Sequence, residues 1–171
     1  MSAELTIMDG GMGGELIRRG FPSGGLWSAK ALLEKPEVVR AVHEDYVNAG
    51  AQVIITNSYS TVPSYLAKEN MEARYVELTG IAARLAREVA DAAATEVKVA
   101  GCVPPLSESY RPDLVPPDDE ARPIYAEIVK ALATDVDLYI CETMSSVREA
   151  VNAASSVRLT DPDKPLWVAM T

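Results

Sequence analysis

Five short apolar runs, each separated from the next by a long intervening segment, limit this chain more than any other feature of it. They are Leu5-Thr6-Ile7, Val53-Ile54-Ile55-Thr56, Val97-Lys98-Val99-Ala100, Leu138-Tyr139-Ile140-Cys141 and Leu166-Trp167-Val168-Ala169-Met170. Apolar residues on consecutive positions describe strands covered on both faces, as parallel strands are. Helices follow between the runs. One from Pro36 to Gly50 carries Val38, Val39, Val42, Tyr46 and Val47 on one face, and one from Met71 to Ala94 carries Leu78, Ile81, Leu85 and Val89. A third, from Pro123 to Ala133, turns Ile124, Ile128, Val129 and Leu132 inward; a fourth opens on the capping-box pair Ser146 and Glu149 and runs to Leu159. The segments Ile17–Lys35 and Cys102–Arg122 read as long connections, the second long enough to be a binding loop. Such alternation means a parallel sheet with helical crossovers. Two architectures satisfy it: a doubly wound five-stranded sheet, or the first five-eighths of an eight-stranded βα barrel, which takes about 250 residues.

Chemistry in either architecture collects at the C-terminal ends of the strands. Asp9 closes the first strand there and opens a glycine-rich stretch, Gly10-Gly11-Met12-Gly13-Gly14, whose backbone is free to adopt positive φ and to approach a ligand closely. Glu142 closes the fourth strand. Two carboxylates at one mouth suit a metal, an acid/base pair or the ammonium group of an amino-acid-like ligand. Left bare they repel and one pKa rises, so a bound cation is favoured. Asn57, Ser58 and Tyr59 end the second strand at the same level, as polar partners for a ligand's carboxylate or as pocket wall. Trp27, beside Gly24-Gly25, reads equally as a lid aromatic or a core residue. Strand alternation sets Cys141 opposite Glu142 and therefore under the helices. Cys102 reads as a small neutral filler near the mouth. His43 is expected on the surface or flank of its helix, and these two cysteines and one histidine have no zinc-site spacing.

The sequence also excludes. Its 16 basic and 25 acidic residues leave a net charge of −9, which disfavours nucleic-acid backbones and anionic membranes as partners. No run approaches the ~20 apolar residues of a membrane span, and neither a signal peptide nor a disulfide framework is evident, so a cytoplasmic setting is expected. The glycine stretch misses the dinucleotide fingerprint because Leu16 stands where the third glycine is needed. Phosphate-loop and nucleophile-elbow motifs are missing as well.

Several stretches, in order, resemble the homocysteine S-methyltransferase family. They are Asp9-Gly10-Gly11-Met12-Gly13 with Glu15-Leu16, Leu26-Trp27-Ser28-Ala29, Val42-His43-Glu44-Asp45-Tyr46 with Ala49-Gly50-Ala51, Ile55-Thr56-Asn57-Ser58-Tyr59, and Glu142-Thr143-Met144 with Glu149-Ala150. The resemblance spans residues 1–171 as one domain and implies an incomplete (β/α)8 TIM barrel of five parallel strands and four helices. It implies methyl transfer from a sulfonium, betaine or folate donor to the homocysteine thiol, giving methionine. By the same resemblance Asp9 and Glu142 grip the homocysteine amino group, with Gly10, Gly11 and Asn57 nearby and Tyr59 and Trp27 along the pocket. The family's zinc, held by one cysteine after strand six and a pair after strand eight, keeps the substrate as thiolate. None of those cysteines falls within this sequence, so the chain alone is expected to bind substrate without turning it over. Gly14 stands where the family usually has threonine, and Cys102-Val103-Pro104-Pro105 replaces its usual Ser-Val-Gly type of turn. Unpaired edge strands predict a piece of a longer reading frame or, as the alternative, a non-catalytic amino-acid-binding chain that self-associates through its open edges. An unrelated βα enzyme using Asp9 and Glu142 as an acid/base pair is the third reading.

Overall fold

The computed structural model describes residues 5–21, 26 and 28–171. Four parallel strands, β1 (Val53–Ile55), β2 (Lys98–Val103), β3 (Leu138–Met144) and β4 (Leu166–Met170), lie in the order β1-β2-β3-β4. Val53 pairs with Lys98, Ala100 with Leu138, and Tyr139 with Leu166. Every crossover thus adds the next strand on the same side, without the reversal of order that a doubly wound sheet needs. The fifth expected strand, Leu5-Thr6-Ile7, is reduced to a single parallel bridge between Met8 and Val53. Its neighbour β1 is only three residues long, and the Gln52 side chain takes the Ile7 N–H that a longer ladder would have used. Leu5 and Ile7 stay exposed. The segment still runs beside β1, since the Asp9 N–H donates to the Val53 carbonyl at 2.9 Å.

The two faces of the sheet are covered differently. Ile54, Val99, Val103, Tyr139 and Cys141 point to one side and pack with α5 (Tyr75–Ala92), α6 (Asp118–Leu132) and α7 (Val147–Thr160) through Ala86, Val89, Tyr125, Ile128, Leu132, Ala153 and Val157. The other side gathers strand residues alone: Val53, Ala100, Leu138 and Ile140, with Met8 and Ile55 against them. Helices thus cover one face and strand side chains gather on the other, where a doubly wound sheet would carry helices on both. A second apolar cluster joins α1 (Met12–Arg18), α2 (Ser28–Glu34) and α3 (Pro36–Asn48) to α5 through Leu16, Ala29, Leu32, Val39, Val42, Leu78 and Leu85.

Helix existence follows the periodicity; helix ends follow local chemistry. The expected connection Ile17–Lys35 holds the end of α1 and all of α2, both only seven residues long and too short to announce themselves by period. One-turn helix α4 (Pro63–Leu66) precedes a 3₁₀ turn at Glu72–Arg74, where the helix expected from Met71 tightens before α5 begins. Helix α6 starts at Asp118, five residues before Pro123. Asp118, Asp119 and Glu120 fill its first turn, where carboxylates suit the helix dipole, and Asp118 also accepts from Asn152 of α7 at 2.9 Å. That anchorage holds the turn in place although Pro123 inside the helix has no N–H to give. The capping box at α7 is present in altered form. Ser146 Oγ accepts the Glu149 N–H at 3.1 Å, while the Glu149 carboxylate reaches back to the N–H of Ser145 and not to that of Ser146.

Candidate functional site

At the C-terminal ends of the strands a cavity of about 540 Å³ is lined by Asp9, Gly10 and Gly11, by Thr56, Asn57 and Tyr59 after β1, by Ser28 and Ser60, and by Glu142 of β3. The two carboxylates expected to share a mouth do share one. Among the described residues that line it, none is a lysine or arginine.

Asp9 is almost wholly enclosed, its side chain 3% exposed. Oδ2 accepts the Ile55 N–H at 2.9 Å, while Oδ1 is buried without a partner. Burial pushes this carboxyl up from 3.8 to about 7, and the charge of Glu142 adds to the rise against the opposing Ile55 hydrogen bond. Glu142 is raised too, by burial, with the Cys102 thiol as its hydrogen-bonding partner working the other way. Its position owes much to backbone irregularity. The pairing of β3 with β4 shifts register between Cys141 and Met144, and Thr143 sits at φ +59°, which a β-branched residue rarely adopts. This bulge turns the end of β3 where Glu142 enters the cavity, the kind of strain that surrounding packing sustains at ligand sites.

The expected glycine freedom takes another form. Gly20 and Gly50 hold the positive φ angles found among glycines here; Gly10 and Gly11 do not. Gly10 is needed for space, since a Cβ there would stand 2.8 Å from the Tyr46 Oη and 3.2 Å from its ring. Gly11 faces open space and caps the start of α1. Asn57 lines the cavity, but its amide nitrogen is engaged on the Ser28 carbonyl at 3.1 Å, tying α2 to the end of β1. Ser58 turns away and donates to the Cys102 carbonyl. Tyr59 lines the wall with its hydroxyl 2.6 Å from Ser109 Oγ. Trp27 lies outside the described residues, as do Gly24 and Gly25.

His43 departs most from expectation. It is fully buried, not on a helix flank, and its Nδ1 stands 4.0 Å from Asp9 Oδ2. The signal was in the spacing: four residues after Val39 and three before Tyr46, it falls on the inward stripe of α3. Ser28, within the Leu26-Trp27-Ser28-Ala29 stretch, also lines the cavity, as do Ser60 and Ser109, which carried no motif. Cys141 packs on the helix side as alternation required, and its thiol is pushed up to about 12 by burial. Cys102 lies inside β2, fully buried, with its thiol raised well above the usual range by burial. Protonated thiols facing opposite sides of a sheet do not ligate one ion. Among the described residues no group of three or more His, Cys, Asp or Glu is placed to hold a metal. The zinc implied by the sequence resemblance therefore has no ligand set here.

Comparison with known proteins adds a family. The model described as homocysteine S-methyltransferase matches residues 6–171. The homocysteine S-methyltransferase of Escherichia coli (strain K12) is 33% identical over 183 residues, covering 98% of this chain and 59% of the relative. Betaine–homocysteine S-methyltransferase 1 of Sus scrofa is 29% identical over 181 residues, covering 99% and 60%. The crystal structure of the homocysteine methyltransferase MmuM from Escherichia coli, metallated form, superposes with a TM-score of 0.86 at 33% identity, covering 99% of this chain and 64% of that one. The chain spans about three-fifths of the length of these relatives.

Proposed function

Because the chain belongs to the homocysteine S-methyltransferase family, we propose that its cavity binds the amino end of homocysteine, as the substrate-holding part of a (β/α)8 barrel that methylates the thiol to methionine. The observation that carries this reading is the convergence of Asp9 and Glu142 on one cavity with no cationic side chain among the described residues of its lining. A buried carboxylate pair with raised pKa values is a poor resting arrangement, and an ammonium ion between them relieves both the repulsion and the missing solvation. Gly10 and Gly11 bring backbone close to the same ligand, and Tyr59 fixes one wall.

The methyl donor belongs to the sulfonium, betaine or folate class, the first two supported by the names of relatives that use S-methylmethionine or betaine. Residues of this chain hold the amine and exclude water around it; thiol activation is not assigned to any of them. The proposed setting is the cytoplasm. In support, both cysteines are free thiols, and no described helix is long and apolar enough to cross a membrane. A second reading, amino-acid binding by a self-associating chain, has one observation behind it. Strand β4 is paired on one side only, with Trp167, Val168 and Met170 exposed; a homogeneous dimer in sedimentation would favour it.

Calorimetric titration of the full chain with homocysteine and with 4-mercaptobutanoate, which lacks the amine, tests the principal reading. Homocysteine should bind at least tenfold more tightly, and Glu142→Gln should remove most of that preference. Equal affinities for the two ligands would overturn the amine site.

A further inference from the structure

Beside Asp9 and behind the lining of the proposed site, one buried polar group has no role. The His43 imidazole is fully buried in α3, and neither Nδ1 nor Nε2 has a hydrogen-bond partner among the described residues. A histidine shut away from solvent with both nitrogens unsatisfied is rare in a folded protein, where buried polar atoms are paired almost without exception. The atom nearest to explaining it is Asp9 Oδ2, 4.0 Å from Nδ1. That distance is too long for a hydrogen bond and short enough to become one through a small shift of either side chain. Oδ2 already accepts the Ile55 N–H and has a second lone pair to offer, while Oδ1 on the other side of the carboxyl is buried and, among the described residues, unpartnered.

We infer that His43 is the positioning residue of Asp9: a neutral imidazole whose Nδ1–H closes onto the carboxylate when an ammonium ligand ionises it. The inference rests on the amine-binding reading. The geometry gives the imidazole a direction and a timing. In the empty cavity Asp9 spends part of its time protonated around neutral pH, being pushed up to about 7 by burial, and a neutral carboxyl has little need of a second donor. Once a ligand ammonium binds, its charge favours the ionised form and the carboxyl proton is released to solvent; Oδ2 then holds the Ile55 N–H and can accept a second donor that keeps the carboxylate plane fixed. His43 Nδ1 stands on the Oδ2 side, 4.0 Å away, so that closing onto it leaves Oδ1 for the ligand. It serves as a neutral group, because burial pushes its own pKa down to about 4, and an imidazolium beside the incoming ammonium would repel it. Bonds of this kind are commonly long in an empty site and tighten when it is loaded.

The groups facing Asp9 are few. Glu142 approaches from β3, His43 and Tyr46 from α3, and Glu15 of α1 stands behind Tyr46. Of these, His43 and the Tyr46 hydroxyl are the side-chain donors on that side, and His43 is the one enclosed with nothing to donate to.

The test uses the full chain, calorimetry between pH 6 and 8, and three variants. His43→Leu removes the donor, His43→Asn carries an amide nitrogen near the place of Nδ1, and His43→Gln carries one near the place of Nε2. The expected result is a tenfold or greater loss of homocysteine affinity in the leucine variant, with the binding midpoint moved to higher pH and 4-mercaptobutanoate unaffected. The asparagine variant should recover to within about threefold of the parent and the glutamine variant should not. Should the leucine variant fail to fold, the asparagine–glutamine contrast decides. Unchanged selectivity and midpoint, or equal losses for both ligands, or equal behaviour of asparagine and glutamine, would overturn the role. A parent chain that does not distinguish the two ligands would instead overturn the amine site itself, which separates the two failures.

Discussion

Replacing Asp9 by asparagine should stabilise the folded chain, and by an amount that depends on pH. The side chain is enclosed, and its carboxyl is raised from 3.8 to about 7, chiefly by burial. At about 1.4 kcal/mol per pH unit, ionised Asp9 costs the folded state up to about 4 kcal/mol relative to the unfolded chain. The sign follows from the order of the two values. Since the folded value lies above the unfolded one, the effect is absent below pH 3.8, grows as pH rises, and is complete above pH 7. Asparagine can still accept the Ile55 N–H through its carbonyl oxygen, so the native hydrogen bond is kept while the charge is removed. The advantage of Asp9→Asn should therefore grow by about 2–3 kcal/mol between pH 5 and pH 8. For a chain of this size that corresponds to roughly 5–10 °C in melting temperature. Urea denaturation followed by far-ultraviolet circular dichroism at the two pH values measures it. An advantage that does not change with pH, or a variant less stable than the parent at pH 8, would refute the account of Asp9 as a buried carboxyl held at a functional cost.

Two further outcomes follow from local geometry. Gly10→Ala should destabilise by about 1–3 kcal/mol, because its Cβ meets the Tyr46 hydroxyl at 2.8 Å, and Tyr46→Phe in the same chain should recover part of the loss in a double-mutant cycle. Ser146→Ala should cost about 1 kcal/mol and speed hydrogen exchange at the Glu149 amide, whose partner is the Ser146 hydroxyl.

What the sequence disclosed, and what it hid, divides along physical lines. The apolar runs at 53, 97 and 138 became strands because each is covered by helices on one face, a long-range condition written into short-range pattern, whereas the run at 166 pairs along β3 with Trp167, Val168 and Met170 left exposed. The run at 5–7 carries the same pattern but borders a three-residue strand, so it pairs only at Met8. Pro123 was a misleading start signal, because a proline preference was outweighed by three acids in the first turn and by the bond from Asn152 to Asp118. Asp9 and Glu142 were legible because strand ends are where ligand groups sit. The convergence itself depends on strand order and on the bulge at Thr143, neither of which has a residue-level code. His43, expected on the surface or flank of its helix, is buried, and its register with Val39 and Tyr46 is what places it inward. The engagement of Asn57 with Ser28 could not be foreseen, because it joins residues 29 positions apart through a loop.

A crystal structure of the full chain soaked with homocysteine tests the central claim most directly. The account predicts the ligand nitrogen between Asp9 and Glu142, within about 3 Å of an oxygen from each, as expected of charge-assisted hydrogen bonds. Density for homocysteine elsewhere, or with its amine turned away from both carboxylates, would contradict it.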